Sequence, residues 1–319
     1  WLDGFLMNRP EQAATSAATA QVRQGDAFVR DGKLAEALAC YDAAIALDAK
    51  LAAAHEARAL ALADMGRFME AAEACGTLLA LKPNYAYAYK ILAFSMMQIG
   101  RYEEAVAGYD KLLALQPKSP DIFSDRAVAL MQLRRFDDAL ASLDKAIKLQ
   151  PKAAAYHNNR GNALKELERL DEALKSYDRA IALDRNYADA IANRGAMLIR
   201  LGRVNEAKED QEEALKAYEQ AMALKPNNID WITHHAVILC KLGRDAESMA
   251  GFQRALEINP NHAEALGNLG LLRGNMKRYN DAILHYDCAL ALKPDLAFVH
   301  EGRGFALIEA KRYHESITA

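Results

Sequence analysis

The sequence predicts an all-α chain built as a solenoid of stacked helix hairpins, and three observations carry that prediction. Alanine and leucine dominate a composition that is 52% apolar but only 8% aromatic, a mix that favours helices over strands. Six of the eight prolines, Pro83, Pro117, Pro151, Pro226, Pro260 and Pro294, stand 34, 34, 75, 34 and 34 residues apart, and 75 is 34 plus 41. Small residues also recur in register with those prolines. Self-similarity at such a period is the signature of repeat architecture.

With proline set at position 32, repeats start near 18, 52, 86, 120, 154, 188, 229, 263 and 297. Position 8 then holds Gly25, Ala59, Ala93, Ala127, Gly161, Gly195, Ala236, Gly270 and Gly304. Position 20 holds Ala37, Ala71, Ala105, Ala139, Ala173, Ser248 and Ala282, and position 27 holds Ala44, Ala146, Ala180, Ala221, Ala255 and Ala289. Helices cross closely only where the facing residues are small. Position 24 is large in most repeats: Tyr41, Tyr109, Leu143, Tyr177, Tyr218, Phe252 and Tyr286. Those rings are expected to fill the space between neighbours. Proline ends each second helix and presets the following turn. Gly32, Gly66, Gly100, Gly202 and Gly243, each followed by Lys or Arg, read as C-caps between the two helices.

These columns resemble the tetratricopeptide repeat, with eight complete copies and a ninth cut short over residues 18–319. The aromatic usual at position 4 is mostly replaced here, by His55, His157, Ile191, Ile232, Leu266 and His300 among others. The resemblance implies a right-handed α-solenoid whose first helices line a concave groove, and a protein or peptide as ligand. Residues 1–17 are expected to form an N-terminal extension. The sixth repeat is 41 residues long, and its seven extra residues are expected to lengthen the second helix, 204–226, with an acidic tip at 208–213. Seven residues return an apolar stripe to register within about 20°.

In this repeat, positions 2, 5, 6, 9, 12 and 13 of the first helix face the groove. One half of the expected site is apolar: Tyr87, Phe94, Met97, Val128 and Met131, with Lys90 among them. The other half is rich in amides: Asn158, Asn159, Asn162, Asn193 and Asn268, with His234. A primary amide both donates and accepts, so a column of them suits an extended peptide backbone. The recurrence of asparagine at position 6, as Asn159, Asn193 and Asn268, resembles the repeat arm of O-GlcNAc transferase. The lysine and arginine clamp that chaperone-binding members use on a C-terminal carboxylate is not matched by Lys90, Phe94, Asp125, Ala155 and Asn159.

Nothing in the sequence points to catalysis, to a cofactor or to a metal. Phosphate-binding loops, nucleophile elbows and zinc motifs are missing. Cys40, Cys75, Cys240 and Cys288 show no metal spacing and fall on apolar stripes, as reduced thiols of a cytoplasmic protein would. A formal charge of −3 gives no basic surface for nucleic acid, and no apolar run is long enough to span a membrane. The opening WLDGFLMNRP and the closing KRYHESITA read as cuts within a longer protein. Three roles are therefore expected: a non-catalytic binding scaffold, the substrate-recruiting arm of a larger enzyme such as a protein glycosyltransferase, or a scaffold that self-associates through its open last repeat.

Overall fold

The computed structural model describes residues 9–205 and 208–312, and those residues form helices joined by short turns. They divide into two units, 1–152 and 153–319. The first unit contains α1 (Arg9–Arg30), α2 (Leu34–Leu47), α3 (Ala52–Asp64), α4 (Phe68–Leu81), α5 (Ala86–Gln98), α6 (Tyr102–Leu115), α7 (Pro120–Gln132) and α8 (Phe136–Leu149). The second contains α9 (Ala154–Glu166), α10 (Leu170–Leu183), α11 (Ala188–Asn205), α12 (Lys208–Leu224), α13 (Ile229–Lys241), α14 (Asp245–Ile258), α15 (Ala263–Asn275), α16 (Tyr279–Leu292) and α17 (Ala297–Glu309). Each unit is an all-α repeat solenoid in which every helix packs on the next. First helices also touch the first helices of adjoining hairpins, as α1 does α3 and α9 does α11. One face of each unit is thus lined by first helices.

The small columns are where the helices of a hairpin meet. Position 8 alanines Ala59, Ala93, Ala127 and Ala236 are fully buried, as are Ala37, Ala71, Ala105 and Ala139 at position 20. At Gly25, Gly161, Gly195 and Gly270 in position 8, the tyrosine at position 24 of the same repeat lies directly on the glycine. A Cβ added at Gly25 would stand 2.4 Å from a Tyr41 ring carbon, and one at Gly161 would stand 2.5 Å from Tyr177. Where position 8 is alanine, the relief can come from the second helix instead: a Cβ at Gly108 would meet that of Ala93 at 3.0 Å. Tyr41, Tyr177, Tyr218 and Tyr286 are at most 2% exposed. Burying a side chain of this size contributes about 1.5–3 kcal/mol.

Position 15 closes the turn between the helices, and its φ is positive in the repeats other than the sixth. Gly32, Gly66, Gly100 and Gly243 have φ of 74°, 73°, 77° and 73°. Arg134, Glu168, Lys277 and Lys311 take the same conformation without being glycine, with φ of 58°, 57°, 62° and 60°. The position 4 side chains have a structural task as well. Nε2 of His55 donates to the Ala49 carbonyl, and Nε2 of His300 to that of Pro294, both at 2.8 Å, while the Tyr89 hydroxyl donates to Pro83 at 3.1 Å. Each ties a first helix to the end of the preceding second helix.

Consecutive repeats are also pinned by ion pairs between position 25 and position 7 of the next copy. Arg58–Asp42, Arg194–Asp178 and Arg303–Asp287 approach to 2.6 Å, and Arg126–Asp110 to 2.7 Å. The pair between the sixth and seventh repeats is weaker, since His235 Nε2 is buried without a hydrogen bond and lies 3.6 Å from Glu219.

Three expectations need correction. The N-terminal extension is not separate, because α1 begins at Arg9 and runs unbroken into the first repeat. Nor do the seven extra residues of the sixth repeat lengthen the second helix alone. α11 has 18 residues where other first helices of this unit have 13, and α12 has 17 where other second helices have 14. Gly202 lies inside α11 rather than capping it; an interior glycine costs a helix only about 1 kcal/mol, so glycine alone does not end one. The side chains of 208–210, part of the expected acidic tip, lie outside the described residues, as do 1–8 and the closing 313–319.

Relief of left-handed strain gives a stability test. Lys277→Gly should raise the free energy of unfolding by about 0.5–1 kcal/mol, and Gly243→Ala should lower it by about 1 kcal/mol, both read from urea midpoints. The sixth–seventh junction gives a second. Burial lowers the pKa of His235, against the opposing pull of Glu219. The unfolded chain then accepts a proton that the folded chain resists, so this contribution is intact above about pH 6.5 and is lost as pH falls below it. His235→Gln should flatten the fall in stability between pH 7 and pH 5.

Candidate functional site

In the first unit the site residues lie on α5 and α7. Tyr87 and Phe94 are 39% and 46% exposed, Lys90 is exposed, and Met97, Val128 and Met131 are half-buried. Leu60 on α3, at the same repeat position as Phe94 and Val128, is 37% exposed. Successive first helices therefore present an apolar stripe. Phe94 is steadied at one edge by Phe68, whose ring meets it edge-on with centroids 5.9 Å apart. The stripe carries an acid, Asp125. Desolvation raises its pKa, Asp121 adds to the rise, and Lys90 opposes it.

The second unit is different in kind, because its amides are largely bonded to one another. Nδ2 of Asn193 donates to Oδ1 of Asn158 at 3.0 Å and to Oδ1 of Asn162 at 3.2 Å. The Tyr177 hydroxyl donates to the same Asn162 oxygen at 2.8 Å. Asn158 also hydrogen-bonds Tyr187, and that bond works against the burial that raises the Tyr187 pKa. Tyr177 lies on Gly161, so the packing that closes the hairpin also delivers its hydroxyl to the first-helix face.

The network corrects the expectation for Asn158. It is 5% exposed, so it holds Asn193 and is not open to a ligand. Asn162 is half-buried and holds both Tyr177 and Asn193. Asn193 has its amino group engaged twice, which leaves Oδ1 as its free polar atom. Asn268 is engaged once: Nδ2 donates to the Glu264 carbonyl at 2.8 Å, which leaves its second hydrogen and Oδ1. Asn159 is half-buried on α9. His234 is exposed on α13, its ring 5.8 Å from that of Tyr218. The amides thus differ from the expected donor-and-acceptor ladder, because both donors of Asn193 and one of the two of Asn268 are engaged within the protein.

Sequence reasoning missed a cavity on this face. It has a volume of about 310 Å³ and lies among α9, α11 and α13, with Ala196, Met197 and Val237 as its apolar lining. Lys165, Glu166 and Arg200 supply its charge, and Tyr218 and His234 complete it. The signal was in the columns: position 9 is Asp26 beneath Tyr41 and Asn162 beneath Tyr177, but Ala196 beneath Tyr218. Among the described residues no group of three His, Cys, Asp or Glu side chains is placed to hold a metal ion. No described helix is long and apolar enough to cross a membrane.

Five family models match the chain. Those described as tetratricopeptide repeat cover residues 62–124, 124–191, 188–224 and 263–296, and one described as TPR repeat covers 25–66. No curated protein matches. Among solved structures, one similar chain is from the APC/C hetero-tetramer Cut9–Hcn1, with 15% identity and a TM-score of 0.65 over 90% of this chain and 55% of that one. PilF of Pseudomonas aeruginosa has 20% identity and a TM-score of 0.58, over 68% and 95% of the two chains. A thermophilic TPR protein of Thermus thermophilus has 21% identity and a TM-score of 0.50, over 60% and 100%. At these identities the likeness shows the fold.

The contrast between two equivalent hydroxyls is measurable without a ligand. Tyr177→Phe removes a hydrogen bond and should cost about 1 kcal/mol. Tyr218→Phe removes a hydroxyl with no partner among the described residues and should leave the unfolding midpoint unchanged or slightly higher.

Proposed function

We propose that this chain, a tetratricopeptide-repeat protein, is a non-catalytic interaction scaffold that binds an extended segment of another protein on the faces lined by first helices. The observation that carries this reading is the state of Asn193. Two internal hydrogen bonds aim its amide and leave one acceptor. An acceptor already fixed in place loses little freedom when it takes a ligand N–H, which is what preorganisation contributes to affinity. Asn268 offers a second acceptor of the same type on α15. Backbone N–H groups recur along any extended peptide, so such acceptors read chain direction and spacing more than side-chain identity.

The first unit would contribute differently. Leu60, Phe94 and Val128 stand at one repeat position on successive first helices, and Phe94 has nearly half its surface open. An apolar stripe of this kind suits the apolar side chains of a segment, with Lys90 and Asp125 at its margin. The likeness to the O-GlcNAc transferase arm rests on the position 6 asparagines alone, so the scaffold reading is preferred to the recruiting arm of a glycosyltransferase.

Peptides selected from a random library against the intact chain provide the test. For a peptide held on the second unit, Asn268→Ala should weaken binding about fivefold to tenfold, as loss of roughly 1 kcal/mol of hydrogen bonding implies. Asn268 supports no other side chain, so its loss should not shift the melting temperature. For a peptide held on the first unit, Phe94→Ser should weaken binding at least as much. Selected peptides indifferent to both changes would contradict the reading.

A further inference from the structure

On the first-helix face of the first unit, α1 and α3 border a pocket of about 130 Å³. Its walls are apolar, with Val29, Ala57 and Leu60 among them, and its charged residues are two aspartates, Asp26 and Asp64. No lysine, arginine or histidine lines it. Asp26 stands at position 9 and Asp64 at position 13, both on the groove side of their helices.

Neither carboxylate has a cation. Oδ1 of Asp26 accepts from the Tyr41 hydroxyl at 2.9 Å. Tyr41 is 2% exposed and seated on Gly25, so a fixed ring holds this carboxylate and leaves its second oxygen open. Arg30, one turn on, gives its Nε to the main-chain carbonyl of Asp26 at 3.3 Å and not to the side chain. The Asp64 side chain has no hydrogen bond or ion pair among the described residues. Asp64 is also the last residue of α3, where the helix dipole disfavours a negative charge. Helix stability therefore gives no reason for an acid there. Other acids of this unit are paired, as Asp42 is with Arg58, Glu70 with Arg67, Asp110 with Arg126 and Asp138 with Arg135.

A cleft that carries one sign of charge between apolar walls focuses its field and draws the opposite charge. Lysine and arginine meet both demands, since they lay a methylene stem along apolar surface and keep a charged head among polar groups. Leu60 links the pocket to the rest of the face. It is a wall here and the first member of the apolar stripe that continues through Phe94 and Val128.

We propose that this pocket takes a lysine or arginine side chain of the segment bound on the first unit, with apolar neighbours of that residue on Leu60, Phe94 and Val128. Asp26 and Asp64 supply the counter-charge, and Tyr41 positions Asp26. This rests on the scaffold reading above, and it names what the first unit selects.

The test uses the intact chain and fluorescein-labelled peptides from a random display library, sorted by loss of binding to Phe94→Ser. Peptides of that class should carry a basic residue beside apolar ones. Replacing it with glutamine should weaken binding about tenfold, and Asp26→Asn and Asp64→Asn should each weaken it about threefold to fivefold. The melting temperature of Asp64→Asn should not fall, because Asp64 has no partner to lose. Asp64→Lys should bind a glutamate version of the peptide better than the parent chain does, a reversal that a structural role would not produce. Peptides of this class without a basic residue, or indifferent to both asparagine variants, would overturn the pocket and leave the scaffold intact. Selection of peptides on the second unit alone would do the same. Failure to select any peptide sensitive to Phe94→Ser or Asn268→Ala would overturn both.

Discussion

The contact between the tyrosine at position 24 and the glycine at position 8 is the constraint from which most of this molecule follows. It sets how closely the two helices of a hairpin approach, since any Cβ at Gly25 or Gly161 would overlap the ring. It also fixes where the phenol hydroxyl ends up. A ring that crosses the hairpin between its helices must bring its oxygen out on the first-helix face. Packing and recognition are therefore not independent here. The same geometry that buries Tyr177 positions the hydroxyl that orients Asn162, and through it Asn193.

Repetition makes the exceptions informative. Eight turns share one backbone conformation at position 15, and the chain meets it with glycine in half of them and with a strained residue in the other half. The ion pair between position 7 and position 25 recurs as Arg with Asp, then becomes His235 with Glu219. Position 9 supplies an acceptor to two of the five column tyrosines, Tyr41 and Tyr177, and an apolar residue, Phe94, Ala196 or Leu271, to the other three. Two of these changes meet at the sixth repeat, which is also the one whose helices are both lengthened. A solenoid tolerates such local departures because each repeat answers mainly to its neighbours.

Periodic features were legible in the sequence. The proline spacing set the frame, the small columns located the helix crossings, and the glycines at 32, 66, 100 and 243 marked turns that the structure places there. What was not legible depends on partners in another repeat. Asn158, Asn162 and Asn193 look alike as letters, but one is buried, one is a double acceptor and one keeps a free oxygen, according to which amide lies across the interface. Gly202 looks like the other caps and is helical, because a single glycine is a weak stop and the residues after it continue the helix. The cavity escaped notice because it is made by an alanine, a residue unremarked in a chain so rich in it.

The central claim is that ligands bind on the first-helix face, and photo-crosslinking locates them most directly. A benzophenone side chain would replace Leu271, which is 41% exposed on the first helix α15, or Leu284, which is 64% exposed on the second helix α16. Each protein would be irradiated with a peptide selected from a random library on the intact chain and lost on Asn268→Ala. Crosslinking from position 271 and not from position 284 is the result this account predicts. The reverse pattern would place the binding surface on the second helices and contradict it.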